Sequence, residues 1–148
     1  MVKQLFLPII FLTLITLTSC GQTTQKPTET IVKIEMHLSA FGVKSDDFPS
    51  IDAILDFPKD SSKCIKSFYN PEFKGSTYSL SNTEMSEILK FIKVSDLKKL
   101  KSAYTVGKTD QPSSKTTIYT NKGKYTFDDY GLVREYPLSE LYKIVYKL

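Results

Sequence analysis

Apolar and polar residues alternate strictly at the start of the region after residue 30: Val32, Ile34, Met36 and Leu38 stand against Lys33, Glu35 and His37. A period of two predicts a strand with one buried and one wet face, because successive side chains of an extended chain point to opposite sides. Ile51, Ala53, Leu55 and Phe57, opposite Asp52 and Asp56, predict a second strand of the same kind. Two further runs, Lys63 to Tyr69 and Ser76 to Leu80, are separated by Asn70-Pro71 and Gly75, residues that favour turns and end strands.

The period then changes. Ser81-Asn82-Thr83-Glu84 reads as a capping box, in which the Ser81 hydroxyl serves the backbone three residues on and the Glu84 carboxylate returns the bond. Met85, Ile88, Leu89 and Ile92 follow at helical spacing, so one face of this helix covers the sheet. Asp96 opens a shorter turn of helix carrying Leu97, Leu100 and Tyr104. After a loop from Gly107 to Lys115, the segments Thr116 to Thr120 and Lys124 to Tyr130 flank Asn121-Lys122-Gly123, which suits a three-residue hairpin with Gly123 in the left-handed region. Pro137 suits the first turn of a last helix, with Leu138, Leu141, Val145 and Leu148 as its apolar stripe. Strands and helices segregate along the chain rather than alternate. The expected class is α+β, a largely antiparallel sheet of about six strands with two or three helices packed on one face.

Ahead of the first strand the pattern is different in kind. Lys3 is followed by an apolar run from Leu5 to Leu17, broken only by Pro8, Thr13 and Thr16. A membrane-spanning helix needs about 20 apolar residues and a secretory h-region roughly 7–15, so the run reads as a signal peptide. It ends in Leu17-Thr18-Ser19-Cys20, which resembles the lipobox of bacterial lipoproteins: a branched apolar residue, two small residues, then the cysteine that is acylated and becomes the new N-terminus. The resemblance implies lipidation at Cys20 by two or three fatty acyl chains such as palmitate. Each buried methylene adds about 0.8 kcal/mol, so several chains hold a protein to a membrane where one chain holds it only marginally. Residues 1–19 are then the leader, 20–30 the acylated cysteine and a flexible Gln/Thr/Pro/Gly tether, and 31–148 one α+β domain. Gly21 follows the cysteine where inner-membrane retention would favour Asp, which places the expected anchor in the outer membrane, facing the periplasm.

Composition narrows the chemistry. The net charge is +4, yet the cations are lysines except for Arg134. Nucleic-acid recognition favours clustered cations with interleaved aromatics and the guanidinium fork, so a nucleic-acid partner is not expected. The densest cluster, Lys98, Lys99 and Lys101, reads as the wet face of a short helix. With Cys20 lipidated, Cys64 has no partner for a disulfide, and the domain must stand on its own core. Cys64 is a reactive thiol, an intermolecular crosslink or, as a lone strand cysteine more often is, a small buried hydrophobe. His37 is the single histidine and has no cysteine or carboxylate cluster at ligand spacing, so neither a metal site nor a cofactor is expected.

The first strand leading into Ala40-Phe41-Gly42, Leu80-Ser81 opening a helix, and the Asp110-Gln111-Pro112-Ser113 turn before a Thr-rich strand together resemble an uncharacterised domain family of bacterial lipoproteins. Members of that family carry Cys-Phe-Gly-x-Cys-Pro after the first strand; here Ala40 and Lys44 stand in place of the two cysteines and Ser45 in place of the proline. The resemblance covers most of residues 31–148, implies an envelope setting and brings no activity with it.

Catalytic signatures such as a Gly-x-Ser-x-Gly elbow, a phosphate-binding loop or His-Glu-x-x-His do not occur. Two groups of residues invite function. Tyr119, Tyr125, Tyr130 and Tyr136 cluster around the final hairpin and suit either an interaction surface or cross-strand packing. Asp46, Asp47 and Asp52 could form an acidic site for a cation or a hydrolytic pair, or be solvated acids. Two functions follow as expectations. One is an envelope lipoprotein with a small non-enzymatic domain that binds a protein, peptide or glycan. The other is a small carboxylate-dependent hydrolase of the periplasm, with or without a cation.

Overall fold

Strand β1 (Ile31–Ser39) lies in the middle of a seven-stranded sheet and is paired on both sides. The computed structural model describes residues 28–133 and 135–148; Cys20, the leader and most of the tether lie outside them. In chain order come β2 (Ser50–Asp56), β3 (Ser61–Ser67), β4 (Ser76–Tyr78), α1 (Asn82–Phe91), α2 (Val94–Leu97), β5 (Ala103–Thr105), β6 (Ser113–Thr120), β7 (Gly123–Tyr130) and α3 (Leu138–Tyr146). The strand order is β4-β3-β2-β1-β6-β7-β5. All neighbours are antiparallel except β5, which runs parallel to β7.

The α+β class holds, with a sheet one strand larger than expected. The added strand is β5, in the segment read as the end of a short helix: Tyr104 pairs with Asp129 instead of closing a helical stripe. Three residues are too few to display a period. Strand β6 also starts at Ser113 rather than Thr116, and it was hidden because its inward residues there, Ser114 and Thr116, are polar. The β6–β7 connection is the two residues Asn121-Lys122, since Thr120 pairs directly with Gly123. Gly123 is not left-handed; among the described glycines only Gly42 and Gly131 are.

The pairing register explains the core. Ile34 faces Leu55, Met36 faces Ala53 and Leu38 faces Ile51, so both alternating strands turn their apolar residues to the same side. Met85 and Ile88 of α1, Leu97 of α2 and Leu138, Leu141 and Val145 of α3 are buried in the same cluster. Each large side chain so buried contributes about 1.5–3 kcal/mol. The capping box forms as expected: Glu84 N–H donates to Ser81 Oγ at 3.2 Å, and Ser81 N–H donates to Glu84 Oε2 at 2.7 Å. Leu89 departs from the expected stripe and is exposed, while Met85, Ile88 and Ile92 of that stripe are buried. Under α3 the core turns polar. Ser114, Thr116 and Asp129 are buried there, Tyr146 Oη and Ser114 Oγ lie 2.7 Å apart, and Asp129 Oδ1 accepts from Val133 N–H at 2.8 Å.

Where β1 begins, the chain is tied to the β6–β7 hairpin. Glu29 accepts from Thr120 Oγ1 at 2.9 Å, Tyr125 Oη at 3.0 Å and Lys98 Nζ at 3.0 Å. Asn121 Oδ1 accepts from Thr30 N–H at 3.0 Å, and its amide donates to Thr28 C=O at 3.2 Å. Glu29 and Thr30, read as tether, thus belong to the folded unit. The Lys98 ammonium, with the Thr120 and Tyr125 hydroxyls, holds the Glu29 carboxyl below its usual range. Among the described residues no helix is long and apolar enough to cross a membrane.

Candidate functional site

The four hairpin tyrosines do not form one surface. Period two along β6 and β7 sends Tyr119 to the open face and Tyr125, opposite the buried Ile118, to the helix-covered face. Tyr119 Oη donates to Glu35 Oε2 at 2.6 Å, and the Lys33 ammonium sits 4.3 Å from its ring centre. Lys33 and then Tyr119 hold the Glu35 carboxyl below its usual range, and the same carboxylate pushes the Tyr119 hydroxyl up. Tyr125 serves the Glu29 clamp. Tyr130 lies at the other end of the strand, accepting from Gln111 N–H at 3.3 Å, and Tyr136 packs beside Phe91 and donates to its carbonyl. These rings are engaged in holding strands and loops together.

The three candidate acids are likewise separated. Asp52 projects from β2 onto the open face, where its Oδ1 lies 2.7 Å from His37 Nδ1. Asp46 and Asp47 stand in the loop after β1; Asp47 is bonded by the Ser45 hydroxyl, and Asp46 lines a cavity to which Asp52 does not contribute. Among the described residues no three His, Cys, Asp or Glu side chains converge to hold a metal ion. The expected acidic site is not assembled, because the loop and strand present their carboxylates at different places.

That cavity, about 540 Å³, lies where β1 ends, β2 begins and β3 ends. Two loops build it. The first opens with a tight turn in which Val43 N–H donates to Ala40 C=O at 3.0 Å and Gly42 takes φ +83°. A left-handed residue at the third position marks a type II turn and leaves the second position at the tip. Phe41 occupies that tip and is 93% exposed. The loop then turns back through Phe48 N–H to Ser45 C=O at 3.2 Å, which seats Phe48, half-buried, against the core. The second loop follows β3 and carries Phe68 and Tyr69. Phe68 packs beside Phe73 at 5.5 Å between ring centres, with the Lys66 ammonium 5.2 Å from its own centre. Tyr69 is 96% exposed.

Phe41, Phe48, Phe68 and Tyr69 therefore meet at one cavity, floored by strand-end serines and edged by Asp46. The final hairpin is the tyrosine-rich part of the chain, whereas this aromatic cavity lies at the opposite end of the central strand. Its sequence signal is an aromatic residue inside turn chemistry: Ala40-Phe41-Gly42 and Tyr69-Asn70-Pro71. Elsewhere the open sheet face carries two half-exposed isoleucines, Ile54 and Ile65, amid charged neighbours.

Cys64 is fully buried on the covered face of β3, and burial pushes its thiol up to about 11. It remains a protonated, inaccessible thiol at neutral pH, which is the state of a structural cysteine.

No family model matches the chain, and neither comparison with curated proteins nor comparison with solved structures returns a match.

Proposed function

We propose that the protein is a lipid-anchored bacterial envelope protein whose folded domain binds a ligand at the aromatic cavity beyond the end of β1. The observation that carries the reading is the pair of almost fully exposed rings, Phe41 and Tyr69, on the two loops of one cavity. Water-exposed aromatics gathered around a concavity give large, stiff contact area at low entropic cost, and such groups anchor binding. The lipobox-like sequence ending in Cys20 supports the anchor, with outer-membrane placement facing the periplasm following from Gly21. The resemblance to the lipoprotein domain family supports the same setting.

The chain enters at Ile31, and the cavity opens past Ser39, about 26 Å away at roughly 3.3 Å per strand residue. The upstream chain thus joins the domain at the end of β1 away from the aromatic loops. The carboxylate hydrolase is the weaker reading, since Asp46 and Asp52 do not meet.

Two experiments test the proposal. Cys20→Ala is expected to abolish acyl labelling and release the protein from the membrane fraction; unchanged membrane retention and labelling contradict the anchor. Cross-linking in intact envelopes is expected to give adducts that disappear in Phe41→Ala/Tyr69→Ala. Adducts that survive both substitutions place binding elsewhere.

A further inference from the structure

We infer that the ligand of the aromatic cavity is a neutral oligosaccharide. The inference rests on the binding role proposed for this end of the domain and adds the ligand's chemistry. A pyranose ring is a slab with weakly polarised C–H groups on its faces and hydroxyls around its rim. Its faces are matched by the electron-rich faces of aromatic rings, and its rim by short donors and acceptors. The cavity offers both. Phe41 and Tyr69 are free to stack, whereas Phe68 carries the Lys66 ammonium near its ring and forms a wall.

The polar groups are of the matching kind. Ser39 Oγ accepts from Phe41 N–H and Ser50 Oγ accepts from Ala40 N–H, both at 3.1 Å, which holds the hydroxyls in place and leaves their protons to donate. Asp46 supplies an acceptor at the edge. Among the described residues no Lys, Arg or His lines the cavity; the Lys66 ammonium lies against the Phe68 wall, and the lining's own charge is the Asp46 carboxylate, which disfavours an anionic ligand. An acyl chain would strip water from the serines and Asp46 without replacing its hydrogen bonds. A peptide that binds by adding a strand would need a free edge, and beside the cavity β1 pairs with β2 and β2 with β3. The volume of about 540 Å³ falls in the range of small-ligand clefts, roughly 300–1,000 Å³.

The test is calorimetric titration of the full-length, detergent-solubilised protein with neutral tetrasaccharides of glucose, N-acetylglucosamine, mannose and galactose. A uronic-acid tetrasaccharide serves as the anionic probe. At least one neutral probe is expected to bind, with the anionic probe about tenfold weaker or worse. Tyr69→Ala and Phe41→Ala should each weaken binding about tenfold or more, as anchor residues do, while both variants keep the wild-type unfolding midpoint. Absence of binding by every neutral probe overturns the inference, as does binding indifferent to both substitutions. If the envelope adducts still depend on Phe41 and Tyr69 while no saccharide binds, the binding role survives and the saccharide assignment falls.

Discussion

At the end of β1 where the chain enters, Glu29 collects three donors, Asn121 clamps the backbone on either side of it, and Tyr125 is drawn into the same network. At the other end, Phe41 and Tyr69 stand in water beside a cavity, and their rings make no comparable bonds to the fold. The same strand thus runs from a region where polar groups are spent on internal contacts to one where apolar area is left outside. Exposed apolar surface contributes little to stability in the free protein, and the two most exposed large rings, Phe41 and Tyr69, line one cavity; the proposed binding role rests on that placement. Tyrosines at the hairpin illustrate the converse: abundant aromatics near one another in sequence are consumed by packing and hydrogen bonding.

The comparison can be broken most severely at Gly131. This residue follows β7 at φ +88°, and an added Cβ would lie 2.3 Å from Val106 Cγ2. Gly131→Ala is expected to cost about 1 kcal/mol from the left-handed backbone and about 1–3 kcal/mol more from the clash, as read by urea denaturation. Gly42 shares the left-handed conformation at φ +83°, but a Cβ added there would meet nothing within 4 Å. Gly42→Ala should therefore cost only about 1 kcal/mol, the strain without the clash. Equal losses at the two glycines would show that the aromatic turn is packed as tightly as the β5–β7 corner.

The clamp is sharpened by Asn121→Ala, which removes two hydrogen bonds to the entering chain. The expected loss is about 1 kcal/mol, together with faster amide exchange at Thr30. Acid gives a gentler probe. Glu29, Glu35 and Glu84 all have carboxyls depressed below 4.5, through Lys98, Lys33 and the Ser81 backbone N–H respectively. A depressed folded-state value means that protonation costs more in the folded chain. The stabilisation is therefore complete above the unfolded value and drains away as pH falls below about 4.5 through the folded values. Thermal melts should decline over that interval, and Glu29→Gln should flatten the decline. A melting temperature that rises on acidification contradicts the assignment.

Much of the fold was legible because its determinants are local. The alternations at Ile34–Leu38 and Ile51–Phe57 place the right residues inward, while a register shift between Ile31 and Lys33 lets Ile31 rather than the expected Val32 pack against the core, and Ser81 with Glu84 starts α1 where expected. The misses share a cause. Ser114 and Thr116 face inward although polar, since they lie under the tyrosines of α3, and no local pattern announces a partner distant in sequence. Strand β5 exists only because β7 offers it an edge. The site was hidden for the same reason: Phe41 and Tyr69 are far apart in sequence and become neighbours only when β1, β2 and β3 pair. Asp46 and Asp52 are the reverse case, near in sequence yet lining different cavities.

The account turns on the claim that the outer aromatic rings serve a partner and not the core. Urea unfolding of Phe41→Ala/Tyr69→Ala tests it most directly. Side chains 93% and 96% exposed have little burial to lose, so the double variant should unfold within about 0.5 kcal/mol of the parent. A loss of about 2 kcal/mol or more, the size expected for truncated core residues, would contradict it.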